Sequence, residues 1–172
     1  MGEVINPRHN RPLSDDEEVV FLAGPIQGAP DWQSDFATRI MERRPGLVIA
    51  TPRAPIDIQR DEFDFNAQVD WEDEHLWRAA KLGGIVFYFA AQDKALPYRE
   101  GRAYAQTTRI ELGKILGWRK FMPLNLAVGF DLDYEGGSER YIRRMCERDE
   151  VPVATGDEEM LERIDTDILQ KL

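Results

Sequence analysis

Short apolar runs alternate along the chain with longer segments in which apolar residues recur every three or four positions. The short runs predict buried strands, and the periodic segments predict helices that bury one face. Five apolar runs lie at 19–24, 47–50, 85–90, 121–128 and 151–153. Strands that alternate with helices in this way predict an α/β fold, a flavodoxin-like or Rossmann-like three-layer sandwich with a mostly parallel five-stranded sheet.

The residues before the first predicted strand form a different kind of segment. Residues 1–18 contain two prolines and the acidic run Asp15–Glu18, and they lack the apolar stretch that a secretory signal requires. We therefore expect 1–18 to be a flexible lead-in. Residues 19–172 are expected to form a single α/β domain, because a chain of 172 residues has the size of one ordinary domain.

The loop after the first strand has residues suited to ligand binding. The strand ends at Gly24-Pro25, and Gly24 and Gly28 allow the backbone to approach a ligand closely. This loop predicts a cradle for a sugar or a phosphate, and a plain tight turn is the alternative. Trp32, which follows the loop, can stack on a base or pack the start of a helix into the core.

An arginine follows the second predicted strand. Arg53 leaves this strand beside the first glycine loop, where it can bind an anionic group. The alternative is an ion pair with Asp57 or Asp61.

The helix after the third strand begins with a segment that has two interpretations. Thr108 and Glu111 have the Thr-x-x-Glu spacing of a capping box, in which the glutamate reaches back to the helix start. The same glutamate follows the most apolar strand, 85–90, and a loop that contains Pro97 and Gly101. Ligands of open α/β sheets collect at the carboxyl ends of strands. Glu111 is therefore either a cap or a functional carboxylate.

The preceding helix, predicted from about 66 to 82, carries further acids near its start. Asp70 and Glu72 can project toward the strand edge at which the Thr-x-x-Glu segment is expected. A second carboxylate beside a nucleophilic one would supply proton transfer, whereas a solvated surface charge is the simpler role for each. His75, in the same helix, is expected to make a local hydrogen bond and not to bind a metal, because the only other histidine is His9 in the lead-in.

Charge and cysteine content narrow the function classes. The net charge of -10 would repel a nucleic acid backbone over any long contact, although a few arginines can still hold one small phosphate. The longest apolar run, 85–91, is too short to cross a bilayer. The single cysteine, Cys146, excludes an intramolecular disulfide and fits a reducing compartment, so a cytoplasmic location is expected. We expect no metal or other cofactor, no nucleic acid polymer and no membrane as partner.

Three motifs in order carry a family resemblance: Phe21–Pro25 with Trp32, then Gln68–Glu72, then Thr107–Gly113. In these motifs, and over residues 19–128, the chain resembles the nucleoside 2-deoxyribosyltransferase-like family. The resemblance implies a flavodoxin-like fold and an enzyme that cleaves the N-glycosidic bond of a nucleoside or nucleotide. It also implies a homo-oligomer, at least a dimer.

The resemblance also assigns roles to residues. The glutamate of the family's E-[LIV]-G motif is the nucleophile, and it falls on Glu111. An acid that protonates the base falls on Asp70 or Glu72. The family's aspartate six residues before the nucleophile is replaced here by Ala105, so base recognition does not carry over. The residues expected to bind substrate are Gly24, Pro25, Ile26, Gln27, Trp32, Arg53, Trp71, Thr107, Thr108 and Arg109.

A 5′-phosphate on the substrate would need its own partners. Thr107 and Thr108 stand near the positions at which nucleotide-cleaving relatives hold this phosphate. Arg109 is a plausible charge partner, and further basic candidates are Arg140, Arg143 and Arg144.

Two other functions remain open. One is a catalytically silent module that senses a nucleotide or mediates assembly, and the other is an enzyme that acts on a dinucleotide such as NAD.

Overall fold

The computed structural model describes residues 2–53, 64–98 and 101–172. Its strands are β1 (Glu3–Ile5), β2 (Val19–Ala23), β3 (Val48–Ala50), β4 (Gly83–Phe89), β5 (Asn125–Phe130) and β6 (Val153–Thr155). Its helices are α1 (Trp32–Arg43), α2 (Phe65–Leu82), α3 (Gln106–Arg119), α4 (Glu139–Arg148) and α5 (Asp157–Asp167). All six strands are parallel, in the order β1-β3-β2-β4-β5-β6. The predicted α/β sandwich is confirmed, with six strands in place of five.

Helices cover both faces of the sheet. The ring of Tyr88 in β4 packs against Phe36 of α1 at 4.8 Å, and an ion pair of 3.0 Å between Arg43 and Asp165 joins α1 to α5. On the other face, Phe21 of β2 packs against Trp71 of α2. Helix α3 lies beside α2, through the ion pair between Lys114 and Asp73, and its Arg119 donates to the Asp149 carbonyl oxygen at the end of α4. No helix in the described ranges is both long enough and apolar enough to cross a membrane.

The first residues of the chain differ from the predicted flexible lead-in. Residues 3–5 form β1, an edge strand that pairs with β3, and the Ile5 side chain is fully buried. Arg11 then binds Glu17 at 2.5 Å and Glu3 at 2.6 Å, which holds the following segment against the domain. A strand of three residues with one buried side chain has too little pattern to be recognised in the sequence.

The fourth predicted strand is displaced along the chain. It was expected at 121–128 and lies at Asn125–Phe130, between β4 and β6. Pro123 precedes the strand, because proline cannot donate to a ladder hydrogen bond on an internal strand. Because β2, β4 and β5 are neighbouring parallel strands, their carboxyl ends lie at the same edge of the sheet. The candidate site lies at this edge.

Candidate active site

Helix α3 starts earlier than the capping-box interpretation requires. Its N-cap is Ala105, which has a left-handed φ of 54° and makes no side-chain cap bond. Thr108 is therefore the third residue of the helix, and Glu111 lies in its second turn. The predicted capping box is wrong, because the backbone turn at Ala105 begins the helix three residues before Thr108. Glu111 has no role in closing the helix start.

Glu111 lies on the side of α3 that faces α2. In the next turn Lys114 forms an ion pair of 2.6 Å with Asp73 of α2, which fixes the two helices against each other. Burial is the main cause that raises the pKa of Glu111, and the nearby Glu72 carboxylate adds to it while Lys114 opposes it, so that this pKa is about 7. No described side chain or backbone amide donates a hydrogen bond to the Glu111 carboxylate. A carboxylate held in this way is typical of functional sites.

Glu72 is the second carboxylate of the site. Burial raises its pKa, and a hydrogen bond from Gln68 opposes this effect. The Gln68 Nε2 amide donates to Glu72 Oε1 at 2.5 Å and to the Pro52 carbonyl oxygen at 3.2 Å. Gln68 therefore orients Glu72 and ties it to the chain that leaves β3. In the sequence, Gln68 is marked only by its position in a motif.

The geometry of α2 decides which of Asp70 and Glu72 lies in the site. Positions 70 and 72 differ by about 200° around an α-helix, so their side chains point to opposite sides. Glu72 points toward Glu111, and Asp70 is exposed to solvent. Asp70, one of the predicted catalytic residues, does not lie in the site and fits the surface role.

The first glycine loop rests on packed aromatic side chains. A Cβ atom on Gly24 would lie 2.3 Å from the Tyr88 carbonyl oxygen and 2.4 Å from Trp32 Cζ2. Trp32 is buried, and its Nε1 donates to the Pro25 carbonyl oxygen at 3.1 Å. Trp32 therefore packs the core beneath the loop, and the base-stacking alternative is wrong. Gln27 is exposed at the surface of the loop.

Gly24→Ala is expected to destabilise the protein by about 2 kcal/mol, because both close neighbours are held by other packing. Urea unfolding followed by circular dichroism measures this loss. Gly46→Ala is not a suitable control, because Gly46 has a positive φ of 99° and alanine would be strained there. The matched control is Gly113→Ala, where an added Cβ meets no atom within 4 Å. Equal stability of the Gly24 and Gly113 variants would contradict the packing role.

Arg53 holds the first loop in place. Its Nε donates to Gln33 Oε1 at 2.8 Å, and its Nη2 donates to the Pro30 carbonyl oxygen at 2.9 Å. Its guanidinium also lies 3.3 Å from Asp31. The alternative partners considered for Arg53, Asp57 and Asp61, lie outside the described residues. Arg53 thus shapes the first glycine loop, whereas the sequence left open either direct binding of an anion or an ion pair.

The loop after β4 meets the first glycine loop. The Asp93 amide donates to the Gly28 carbonyl oxygen at 2.8 Å. Tyr98 packs on Gly28, so closely that a Cβ there would lie 2.9 Å from its ring. Tyr104, whose hydroxyl donates to the Ala90 carbonyl oxygen at 2.9 Å, packs edge to face with Tyr98. Tyr98 and Tyr104 therefore join the two loops, a role that the sequence did not reveal.

The start of α3 presents a hydroxyl and a cation together. Arg102 Nη2 donates to Thr107 Oγ1 at 2.6 Å, and both residues are exposed. Thr108 is buried. Arg109, the predicted charge partner of a phosphate, donates instead to the carbonyl oxygens of Tyr104 and Gly136.

The arginines of α4 also have partners. Arg143 binds Glu139 at 2.8 Å, and Arg144 binds Glu147 at 2.6 Å. Arg140 is exposed. Among the basic residues near α3, Arg102 is thus the one placed beside Thr107, and the sequence analysis did not select it.

Trp71 lies next to Glu72 in the chain but is buried. Its ring stacks on His75 at 4.1 Å and meets Phe21 at 6.1 Å. His75 Nδ1 lies 2.8 Å from the Trp71 carbonyl oxygen, so the predicted local hydrogen bond of His75 is confirmed. Trp71 Nε1 is buried and has no hydrogen-bond partner among the described residues. Trp71, which was expected to bind substrate, therefore packs in the core between α2 and β2.

Comparisons with known proteins were made for the whole chain. No protein-family model matches it, and no curated protein matches it. Within the described ranges, no cluster of three or more His, Cys, Asp or Glu residues is arranged to hold a metal ion. The functional interpretation therefore depends on the geometry of the two glutamates and the loops around them.

Proposed function

We propose that this chain cleaves or transfers the N-glycosidic bond of a nucleoside or a nucleoside 5′-monophosphate, as a cytoplasmic enzyme of the nucleoside 2-deoxyribosyltransferase-like type. Glu111 is the nucleophile, and Glu72 is the proton donor. The observation that supports this proposal is the pair of enclosed carboxyl groups at the carboxyl edge of a parallel sheet. Such an edge is the usual ligand site of open α/β folds.

The two carboxyl groups suit the reaction because the charge of one raises the pKa of the other. The Glu72 carboxylate is among the causes that raise the pKa of Glu111, and burial raises the pKa of both residues. Two coupled acids of this kind titrate as a pair, so one protonated and one ionised carboxyl coexist near neutral pH. N-glycosidic cleavage needs one of each.

The proposed reaction has two steps. The ionised Glu111 carboxylate attacks the anomeric carbon while the bond to the base nitrogen breaks and Glu72 gives its proton to the base. A water molecule or an acceptor base then attacks the same carbon and releases Glu111. The ionised Glu72 takes the proton from the attacking water or from the ring nitrogen of the acceptor base. Developing positive charge on the sugar favours the ionised form of Glu111 during the first step.

A purely structural role explains Glu111 poorly. The capping box is absent, and no described group donates a hydrogen bond to its carboxylate. Burial of an acid without such bonds lowers stability, so the residue is a candidate for function with a stated physical reason.

A substrate panel tests the proposal directly. The protein is incubated with nucleosides, nucleoside 5′-monophosphates and NAD, and chromatography detects released base. Base release from a nucleoside or monophosphate is the expected result. Release from NAD alone would favour the glycohydrolase alternative, and no release by the folded protein would favour the silent module.

The monophosphate form of the substrate makes a separate prediction. Arg102→Ala is expected to lower kcat/KM for a 5′-monophosphate by roughly 10- to 100-fold and to leave nucleoside turnover unchanged, because Arg102 and Thr107 together can bind the phosphate. Arg144→Ala, which removes an exposed arginine paired with Glu147, is the matched control. Equal losses on both substrates would remove the phosphate role of Arg102.

A further inference from the structure

The first turn of α2 presents an exposed aromatic ring on the same side of the helix as Glu72. Positions 65 and 72 are seven residues apart, close to two full turns, so Phe65 lies about 10 Å from Glu72 along one face of the helix. Helix α2 connects the end of β3 to the start of β4, and its start therefore lies at the carboxyl edge of the sheet. Phe65 is 66% exposed there. It lies on the solvent side of Glu72, at the mouth of the site.

The other aromatic rings around the site are used for packing. Trp32 and Trp71 are buried in the core. Tyr98 and Tyr104 pack against each other and join the two loops. Phe65 is instead exposed, and a large apolar ring in the open beside a ligand site can stack on a planar base. Phe65 therefore takes the role that the sequence suggested for Trp32.

Gln68 lies on the same face of α2, between Phe65 and Glu72, and its amide has a defined orientation. The Pro52 carbonyl oxygen can only accept a hydrogen bond, so the amide atom 3.2 Å from it must be the nitrogen. The second hydrogen of this nitrogen goes to Glu72 Oε1. Both hydrogens are then used, and nothing in the described part of the chain donates to Gln68 Oε1. Gln68 therefore offers a half-buried acceptor beside the proton donor.

Glu72 and Gln68 together present a hydrogen-bond donor next to an acceptor. Glu72 Oε1 accepts from Gln68, which leaves Glu72 Oε2 to carry the proton that the base receives. A base complements this pair when an amino group lies beside a ring nitrogen that accepts a proton. Adenine has this pattern at N7 and its 6-amino group, and cytosine has it at N3 and its 4-amino group. An oxo group in place of the amino group would set two acceptors against each other, with neither satisfied.

We propose that Phe65 and Gln68 form the base subsite, in which the ring of Phe65 stacks on the base and Gln68 Oε1 accepts a hydrogen bond from its amino group. This inference rests on the proposed function and adds a substrate class to it, nucleosides of the amino bases adenine or cytosine in preference to those of oxo bases. Glu111 of α3 attacks the sugar and Glu72 of α2 protonates the base, so the base lies on the α2 side of the site. Phe65 and Gln68 extend from this side.

Two pairs of substrates that differ at one group test the subsite. 2′-Deoxyadenosine and 2′-deoxyinosine have an amino and an oxo group at the same position, and so do 2′-deoxycytidine and 2′-deoxyuridine. For a pair that the parent cleaves, kcat/KM should be roughly 10- to 100-fold higher for the amino member, because the oxo member leaves Gln68 Oε1 unpaired. Equal values, or higher values for the oxo members, overturn the proposal.

Substitutions separate reading of the base from support of Glu72. Gln68→Met removes the acceptor and also the hydrogen bond to Glu72, so turnover of both members should fall and the preference for the amino member should be lost. A Gln68 that only positions Glu72 would lower both members equally and leave the preference unchanged, which overturns the proposal. The matched control is Asn66→Ala, which removes an exposed amide on another side of the same helix. It should keep the parent's preference.

The stacking role of Phe65 has its own variants. Phe65→Ala should weaken binding of both members of a pair by roughly 10-fold and leave their ratio unchanged, because a ring stacks on any base. Phe65→Trp should restore binding. Phe121→Ala removes an equally exposed ring at the far end of α3 and should bind as the parent does. Unchanged binding by Phe65→Ala, with its fold checked by circular dichroism, overturns the stacking role.

Binding without turnover separates this proposal from the proposed function. Isothermal titration of Glu111→Gln with the same four nucleosides measures the preference in a protein that is not expected to cleave them. Tighter binding of the amino members, dependent on Gln68 and Phe65, supports the subsite even if the parent releases no base. Release of base by the parent without any amino preference would leave the proposed function in place and overturn the subsite.

Discussion

Glu111→Gln is expected to lower the rate of base release by at least about a thousandfold and to leave the fold intact. A nucleophile carries a large part of the barrier lowering, and an amide cannot form the glycosyl ester. The fold should survive because Glu111 makes no described hydrogen bond whose loss would unfold the helix. Steady-state kinetics on the best substrate of the panel measure the effect, and circular dichroism checks the fold.

Asp70→Asn is the matched control for this experiment. It removes an acid from the same helix as Glu72, at an exposed position that points away from Glu111. Its turnover should stay within about twofold of the parent, because a solvated surface charge contributes little. Loss of activity in Asp70→Asn together with normal activity in Glu72→Gln would reverse the assignment of the proton donor.

A trapped intermediate gives an independent view of the same step. A 2-fluoro-2-deoxy nucleoside should leave a covalent adduct on the parent protein, because the fluorine slows the second step of the reaction. Mass spectrometry should locate this adduct on the peptide that contains Glu111. Release of base by Glu111→Gln at the parent rate, from a substrate that the parent cleaves, would show that the nucleophile assignment is wrong.

The sequence was sufficient for the parts of the fold that have a strong repeating pattern. Strand β4 has seven consecutive buried residues, and α2 was predicted to within one residue of its bounds. Strand β1 escaped prediction because its stability comes from pairing with β3, a contact between residues more than forty positions apart. Pattern reasoning sees only neighbours in sequence.

Glu111 could be selected as a candidate from the sequence, whereas its contacts could not be predicted. Glu111 was identified from its place after a buried strand, but the capping box was wrong because the turn at Ala105 depends on backbone geometry that residue types do not specify. The choice between Asp70 and Glu72 as the second acid depends on which of them faces α3, and this required the position of α3. Arg53 bonds to the first loop through carbonyl oxygens, and every residue has a carbonyl oxygen, so no sequence signal marks this contact.

The difference in stability between Glu111→Gln and the parent should depend on pH in a way that a structural carboxylate would not produce. Burial, together with the Glu72 carboxylate, raises the pKa of Glu111 from its ordinary value of 4.5 to about 7, so the folded protein favours the protonated acid. The resulting stability is fully present below pH 4.5 and is lost as pH rises through about 7. The loss corresponds to about 3 kcal/mol, from 1.36 kcal/mol for each unit of pKa difference.

Glutamine has the shape of the protonated acid and carries no charge at any pH. Glu111→Gln should therefore match the parent in free energy of unfolding near pH 4.5 and exceed it by up to about 3 kcal/mol at pH 8 to 9. Urea unfolding at both pH values measures the difference, and Asp70→Asn should follow the parent at both. A Glu111→Gln variant that is less stable than the parent at pH 8 would mean that the ionised carboxylate stabilises the fold, as a cap or ion pair does. A gain in stability at alkaline pH that accompanies the loss of turnover is the result expected of a carboxylate that is buried for its chemistry.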